Sequence, residues 1–123
     1  MKFKYCLNKS VKTTVQPKTK DELKKIIEDT IKEQGYNCDL NFIDTSKIKD
    51  MSGLFSDSEF NGDISIGDIS KWNVSNVETM RYMFYISAFN GDISKWDVSN
   101  VERMENMICG SPLEGNEPDW YKD

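Results

Sequence analysis

The chain contains no histidine, and this absence removes three kinds of site at once. Histidine is the commonest general base, the usual partner of a catalytic serine or cysteine, and the commonest metal ligand. The sequence also lacks a P-loop, a nucleophile elbow and a metal-ligand cluster, and no pair of its carboxylates is marked out for glycosidic chemistry. We therefore predict that the protein is not an enzyme and holds no cofactor or metal.

Cysteine and long apolar runs are also scarce. Cys6, Cys38 and Cys109 are widely spaced and form no CxxC pair. The basic first residues lack the apolar stretch of a secretory signal, and no run is long enough to span a membrane. We expect reduced thiols in a cytoplasmic protein, although a disulfide between Cys38 and Cys109 stays open on sequence grounds.

Charge is divided unevenly along the 123 residues. Residues 1–34 carry a net charge of +4, whereas residues 35–123 carry −9. An acidic body argues against direct, sequence-specific binding of nucleic acid, because phosphate contacts need lysine and arginine. Two regions of opposite potential can instead steer charged protein partners.

A 24-residue repeat dominates the second half of the chain. Trp72 begins WNVSNVETMRYMF, and Trp96 begins WDVSNVERMENMI. An earlier copy begins at Ile43, 29 residues before Trp72, and tandem Gly-Asp-Ile-Ser segments at 62–65 and 67–70 explain the five extra residues. A unit this short cannot bury its apolar side chains alone, so we expect the copies to stack.

Each copy predicts a short strand, a turn and a short helix. Val101, Met104 and Met107 follow one another at helical spacing for about two turns, and the pair Asn90-Gly91 is typical of a turn. A methionine-rich adaptable surface is the alternative reading of this pattern, but helical spacing favours the core. The methionines in question are Met51, Met80, Met83, Met104 and Met107.

The head of the chain predicts two strands and a helix. Residues 1–16 alternate in polarity, and Thr19 with Glu22 fits a helix-capping box. The helix should end at Gly35, and its mixed polar face argues against a membrane-surface role. We expect it to cover the first repeat with one apolar stripe, which consists of Leu23, Ile26, Ile27 and Ile31.

These motifs carry a family resemblance. NGDISKWDVSNV at 90–101, followed by Met104 and Met107, resembles the repeat of the BspA-like leucine-rich-repeat proteins, and residues 17–46 resemble the helical segment that often precedes such repeats. The resemblance implies a right-handed solenoid of short parallel strands whose usual task is binding or adhesion. The expected fold is therefore α+β, a short right-handed solenoid of about three 24-residue strand-turn-helix repeats with an N-terminal strand-strand-helix cap.

The expected organisation has two parts. Residues 1–36 form the N-terminal hairpin and capping helix, and residues 37–123 form the repeat solenoid. A C-terminal cap should seal the last repeat where the strand pattern fades. Its sealing residues are Pro112, Leu113, Pro118 and Trp120.

Two sets of polar residues recur at fixed repeat positions. A calcium site is one interpretation of the turn aspartates, but their pattern is neither the GGxGxD repeat nor an EF-hand loop, so we predict hydrogen bonds within their own turns. For the Ser-Asn pairs, we predict an interior position that ties neighbouring coils together. The residues are Asp63, Asp68 and Asp92, and the pairs Ser75-Asn76 and Ser99-Asn100.

Positions that vary between aligned repeats are free of the constraints of stacking and are candidates for contact with a partner. Tyrosine and arginine are enriched among the residues that anchor interfaces, and the glutamates would offer an acidic surface. A tyrosine pair that merely covers its own repeat is an equally good account. The candidate partner-binding residues are Glu78, Arg81, Tyr82, Tyr85, Glu102 and Glu105.

Two functions remain on this basis. The first is a noncatalytic protein-binding module built on BspA-like repeats, with no role at a membrane. The alternative is a small acidic inhibitor from a phage or mobile element, similar to an anti-CRISPR protein, that blocks a basic nucleic-acid-binding surface. Either function implies another protein as the partner, one with a basic surface in the second case, and pairing of two copies into a homodimer stays open.

Overall fold

The computed structural model describes residues 13–35, 38–56 and 68–122 of the chain. Within these residues there is one helix, α1, which spans Lys20–Gln34. Every other backbone pairing in the described part consists of isolated bridges and turns, and no strand is formed there. The architecture is thus one helix followed by an irregular chain whose neighbouring segments are joined by backbone hydrogen bonds.

Helix α1 begins and ends where its sequence predicts. The Thr19 hydroxyl accepts a hydrogen bond from the Glu22 N–H at 3.2 Å, and the Glu22 carboxylate accepts one from the Lys18 N–H at 2.8 Å. At the other end Gly35 has φ +88°, and its N–H donates to the Ile31 carbonyl at 2.7 Å. Both ends therefore have partners for backbone groups that the helix itself leaves unpaired.

The predicted α+β solenoid of strand-turn-helix repeats is wrong. The described residues of the repeats contain neither a strand nor a helix. Single-residue pairings take the place of a sheet, and all of them are parallel. They join Val15 to Ile43, Asp39 to Asp68, Asp50 to Thr79, and Thr79 to Arg103.

The predicted N-terminal strand pair falls mostly outside the described residues, which begin at 13. Its one described pairing is parallel and joins Val15 to Ile43, in the first repeat. The Val15 N–H donates to the Phe42 carbonyl at 3.3 Å, and the Asp44 N–H donates to the Val15 carbonyl at 2.7 Å. The segment just before α1 is therefore attached to the beginning of the repeats.

Successive turns explain why the repeats looked helical. The Val101 N–H donates to the Val98 carbonyl at 3.0 Å, and the Met107 N–H donates to the Met104 carbonyl at 3.1 Å. These bonds span three residues and close turns, whereas a helix would need bonds that span four. Apolar residues at spacings of three fit consecutive turns as well as helices, so the helical interpretation of this spacing was wrong.

Aligned residues of the three copies lie beside one another. We call the copies repeat 1 (43–71), repeat 2 (72–95) and repeat 3 (96–119). In repeats 1 and 2, alternate backbone N–H groups donate to carbonyl oxygens of the next copy. The donors Met51, Gly53 and Phe55 pair with Thr79, Arg81 and Met83, and the donors Met80, Tyr82, Phe84 and Ile86 pair with Arg103, Glu105, Met107 and Cys109 at 2.8–3.0 Å.

Tryptophan side chains form a column along the repeats. The ring centroids of Trp72 and Trp96 are 6.5 Å apart, those of Trp96 and Trp120 are 6.3 Å apart, and the planes are nearly parallel. An indole N–H removed from water needs an acceptor, and each one donates to a carbonyl 27 or 32 residues earlier in the chain. The acceptors of Trp72, Trp96 and Trp120 are Leu40, Ile69 and Ile93, at 2.9, 3.1 and 2.9 Å.

Trp120 belongs to this column although the sequence analysis placed it in the cap. It follows Trp96 by 24 residues and makes the same two contacts as its predecessors. Leu113, another residue of the predicted cap, is buried, whereas Pro112 is exposed. The repeat geometry thus continues through Trp120.

Phenylalanine and methionine side chains fill the interior. The rings of Phe55 and Phe84, at aligned positions, are parallel with centroids 5.6 Å apart, and Phe89 stacks on Phe84 at 4.5 Å. Gly91 is required beside them, because a Cβ there would lie 2.7 Å from the Phe89 ring. The predicted core role of the methionines is confirmed for Met51, Met80, Met83 and Met107, which are fully buried, while Met104 is half-buried.

Helix α1 packs its apolar stripe into the same core. Leu23 and Ile27 are fully buried, Ile31 is nearly so, and all three belong to one cluster with the repeat side chains. The Lys20 ammonium donates to the Ser52 carbonyl at 3.0 Å. Helix α1 thus covers the first repeat with both an apolar face and a polar contact.

The tryptophan column generates a graded stability prediction. Trp96→Ala should lower the free energy of unfolding by about 3–5 kcal/mol, because it opens a cavity between two rings. Trp96→Phe keeps a stacked ring and loses the hydrogen bond to Ile69, so we expect a loss of about 1–2 kcal/mol. Urea unfolding of both variants measures the difference, and equal losses would show that the stacked ring contributes nothing beyond the indole hydrogen bond.

Candidate functional site

One repeat position has a left-handed backbone in every copy. Gly53, Tyr82 and Asn106 are aligned, and their φ angles are +65°, +59° and +56°. Glycine adopts this conformation without steric cost, and asparagine tolerates it better than other residues with side chains. Tyrosine does not, so repeat 2 has a strained backbone where its neighbours carry suitable residues.

A second left-handed position lies four residues further on. Ile86 has φ +50°, and its aligned residue Gly110 has φ +79°. A β-branched residue in this region is a genuine outlier. Gly110 also permits close packing, because a Cβ there would lie 3.2 Å from Cγ1 of Ile86. Repeat 2 therefore holds two bulky residues in a conformation that favours glycine.

These two residues are also the large apolar side chains that are exposed in the described part of the chain. Tyr82 is 38% exposed and Ile86 is 41% exposed. The Tyr85 ring meets the Tyr82 ring edge-on, with centroids 5.3 Å apart, and the Arg81 guanidinium carbon lies 5.8 Å from the Tyr82 centroid. We call Arg81, Tyr82, Tyr85 and Ile86 the tyrosine patch.

Charges beside the tyrosine patch are partly neutralised. The Glu105 carboxylate lies 3.4 Å from Nε of Arg81 and 3.5 Å from Nη1 of Arg103. The Glu102 N–H donates to the Glu78 carbonyl at 2.8 Å, so these two glutamates are on neighbouring repeats, and both are exposed. Of the three glutamates chosen from the sequence, Glu105 is paired with arginines and two remain as an acidic edge.

Three of the four residues of the tyrosine patch were predicted from the sequence, and Ile86 was not. Arg103, which shares Glu105 with Arg81, was not predicted either. Comparison of repeats 2 and 3 within the chain contains a signal for Ile86, since repeat 3 has Gly110 at the same position. An aliphatic residue where a neighbouring copy has glycine indicates a side chain that the backbone does not favour.

The turn aspartates bond to their own turns, as predicted. Asp68 and Asp92 accept hydrogen bonds from the N–H groups of Ser70 and Ser94 at 2.9 Å, while Asp63 lies outside the described residues. Hydrogen bonds from the turn serines lower the pKa of both carboxyl groups below its usual value. In the residues that the structure describes, no three cysteine, aspartate or glutamate side chains converge on a position for a metal ion.

The Ser-Asn pairs connect neighbouring repeats, but from the surface. The Asn76 side-chain amide donates to the Ser46 carbonyl at 2.8 Å, and that of Asn100 donates to the Ser75 carbonyl at 2.7 Å. The predicted tie between coils is confirmed. The predicted interior position is wrong, since both asparagines are exposed.

Both described cysteines are free thiols. Cys38 is buried, and burial raises its pKa to about 11, while Cys109 is exposed. The disulfide left open between them is absent. Cys6 lies outside the described residues. A thiol with so high a pKa is almost wholly protonated at neutral pH and therefore unreactive.

The aspartate turns predict a contribution to stability that depends on pH. Hydrogen bonds from Ser99 lower the pKa of Asp97 below the model-peptide value near 3.8, so the folded state gains stability above that pH and loses it as the pH falls through the folded pKa. Asn73 makes the same turn in repeat 2 without a titrating group. Asp97→Asn should therefore keep the turn and weaken the acid sensitivity.

Urea unfolding of the wild type and Asp97→Asn at neutral and acid pH measures this effect. The two proteins should have similar free energies of unfolding at pH 7 and diverge in acid, with the wild type losing more. Adding calcium or a chelator at pH 7 should leave both unchanged, and a calcium-dependent rise in stability would contradict the turn interpretation.

Comparison with known proteins places the chain in one family. No helix in the described ranges is long and apolar enough to cross a membrane. No significant match is found among curated proteins, and none is found among solved structures. The sequence profile of the family described as "Mycoplasma protein of unknown function, DUF285" matches residues 21–120, which include all but the first residue of α1, the three repeats and Trp120. The chain belongs to this DUF285 family.

Proposed function

We propose that the protein is a noncatalytic protein-binding module whose contact surface is the tyrosine patch. One observation carries this proposal: among the described residues the exposed large apolar side chains are those of Tyr82 and Ile86, both held in the left-handed backbone region. Such strain costs about 1–3 kcal/mol per residue and tends to persist at functional sites. Folding alone would favour glycine or asparagine, which stand at the position of Tyr82 in repeats 1 and 3 and at the position of Ile86 in repeat 3.

The chemistry of the tyrosine patch suits an interface. Tyrosine and arginine dominate the energetics of protein contacts, because they combine apolar area with a directional polar group. The edge-on packing of Tyr82 and Tyr85 limits the ring motions that binding would otherwise have to restrict. Arg81 is already paired with Glu105, so a partner meets a nearly neutral surface at this point.

The partner's charge is inferred from the neighbouring glutamates. Glu78 and Glu102 are exposed on adjacent repeats, and the chain as a whole has a net charge of −5. Basic groups on a partner would complement this edge and raise the association rate. The acidic inhibitor remains the second candidate, and it depends on these glutamates rather than on the tyrosine patch.

Two finer assignments are part of the proposal. The motif NGDISKWDVSNV supports membership of the BspA-like leucine-rich-repeat proteins within the family that the profile defines. The free thiols of Cys38 and Cys109 support a reducing compartment, so we propose action in the cytoplasm.

Replacing the two strained residues tests the tyrosine patch directly. Tyr82→Asn and Ile86→Gly together install residue types that suit the left-handed backbone. We expect the free energy of unfolding to stay level or rise by about 1 kcal/mol, because strain is relieved. A partner captured from cells that make the protein should lose at least about tenfold in affinity, because both exposed anchors are removed.

Asn106→Gly is the matched control, since it changes the same repeat position outside the tyrosine patch and should bind normally. If the double variant loses several kcal/mol of stability, Tyr82 and Ile86 serve to cover their own repeat. If it binds as tightly as the wild type, the tyrosine patch is not the contact surface.

Reversing the acidic edge separates the two candidate functions. Glu78→Lys with Glu102→Lys should leave folding intact and lower the association rate by about tenfold at low salt, with a smaller difference at high salt. Glu114→Lys with Asp119→Lys makes the same change in net charge elsewhere and serves as the control. Loss of binding from the charge reversal, combined with full binding by the Tyr82→Asn, Ile86→Gly variant, would favour the acidic inhibitor.

A further inference from the structure

The pair Asn90-Gly91 lies in an irregular part of repeat 2. Residues 87–93 form neither a helix nor a strand, and Asn90 is exposed although Phe89 before it is fully buried. Within the described part of the chain, neither the Asn90 side chain nor the Gly91 N–H takes part in a hydrogen bond. No such bond therefore holds the side-chain amide away from the peptide nitrogen that follows it.

The fold requires glycine after Asn90. A Cβ at position 91 would lie 2.7 Å from the Phe89 ring, which itself stacks on Phe84 with centroids 4.5 Å apart. Only a residue without a side chain fits beside this packed ring. Because glycine has no side chain to shield its nitrogen, the packing of the core leaves an unshielded nitrogen next to the Asn90 amide.

Other asparagines of the described chain are placed differently. The amides of Asn76 and Asn100 donate to the carbonyls of Ser46 and Ser75, at 2.8 and 2.7 Å. Every asparagine in the described ranges other than Asn90 also precedes a residue with a side chain. Asparagine is among the thermolabile residues of proteins, and Asn90 is the described one that neither a hydrogen bond nor a following side chain protects.

We propose that Asn90 is a site of spontaneous covalent modification, at which the side-chain amide is converted into a carboxylate. The Gly91 nitrogen loses its proton and attacks Cγ of Asn90, so that a bond between this nitrogen and Cγ closes a succinimide ring. The bond between Cγ and Nδ2 breaks, and Nδ2 takes up a proton and leaves as ammonia. Water is the only co-reactant, and nothing is oxidised or reduced.

Hydrolysis of the ring gives two products. Water that adds at Cγ leaves aspartate, whereas water that adds at the backbone carbonyl carbon of Asn90 leaves isoaspartate, in which the main chain runs through Cγ. Isoaspartate lengthens the main chain by one methylene between Phe89 and Gly91, beside the ring that already excludes a Cβ at Gly91. Both products add a carboxylate near Asp92, whose own carboxylate accepts the Ser94 N–H. Formation of isoaspartate should therefore displace the Phe89 ring and weaken repeat 2.

Incubation of the full chain at neutral and mildly alkaline pH, followed by peptide mass spectrometry, measures the reaction. Asn90 should convert at least about tenfold faster than Asn76 or Asn100, whose hydrogen bonds must open first. The rate should rise with pH, because the attacking nitrogen must lose a proton, and fragmentation spectra should show both aspartate and isoaspartate. Peptide mapping separates this site from the Asn-Gly pair at 61–62, which lies outside the described residues.

A synthetic peptide of residues 86–95 is the unfolded reference. Because the fold leaves the Asn90 amide and the Gly91 nitrogen unbonded, the folded chain should react within about tenfold of the rate of the peptide. Asn90→Gln is the matched variant, since its longer side chain closes a larger ring more slowly, and its urea midpoint should not change on incubation. The incubated wild type should show a less stable population in proportion to its isoaspartate content.

Freshly prepared Asn90→Asp carries the added charge without the longer main chain and should unfold at nearly the urea midpoint of the fresh wild type. The proposal is overturned if Asn90 converts no faster than Asn76 and Asn100, or if the folded chain reacts far more slowly than the peptide. Isoaspartate that accumulates at Asn90 without a change in the urea midpoint would also overturn it. The rates on the wild type decide the matter if a variant does not fold, and none of these measurements involves a partner or the tyrosine patch.

Discussion

Backbone hydrogen bonds between repeats are the interaction on which the rest of the structure depends. A helix satisfies its N–H groups within itself, and a sheet satisfies them across long strands. The repeats here do neither, since alternate N–H groups of one repeat reach carbonyls of the next across single-residue bridges and turns. Each repeat is therefore incomplete without its neighbour, and helix α1 is needed to close the first one.

This dependence also explains where strain accumulates. Turning the chain at fixed positions requires a left-handed residue in every repeat, and the inter-repeat bonds hold it there. Gly53 and Asn106 meet the requirement at little cost, whereas Tyr82 meets it at the expense of stability. A rigid set of shared bonds thus lets one repeat carry side chains that its own backbone disfavours, which is how a stable scaffold can support a strained surface.

The sequence predicted several features well because they rest on local or repeated chemistry. The bounds of α1 follow from Thr19 and Gly35, and the repeat register follows from the 24-residue spacing of Trp72 and Trp96. The helices predicted within the repeats are not formed, because apolar residues three apart occur in turns as well as in helices. The tyrosine patch was only partly found, because the sign of φ at Ile86 is set by the fold and shows in the sequence only through Gly110 one repeat later.

The tryptophan column adds a second set of hydrogen bonds between repeats, in which each donor lies later in the chain than its acceptor. Most backbone N–H groups that bond between repeats donate to the next repeat, those of Glu78, Thr79 and Glu102 being the exceptions, while each indole N–H donates to an earlier carbonyl. Tension applied to the two termini would act on these hydrogen bonds one repeat at a time. The repeats would therefore separate in sequence from one end instead of all at once. Under mechanical load the molecule would behave as a short series of separable links, each releasing a similar length of chain.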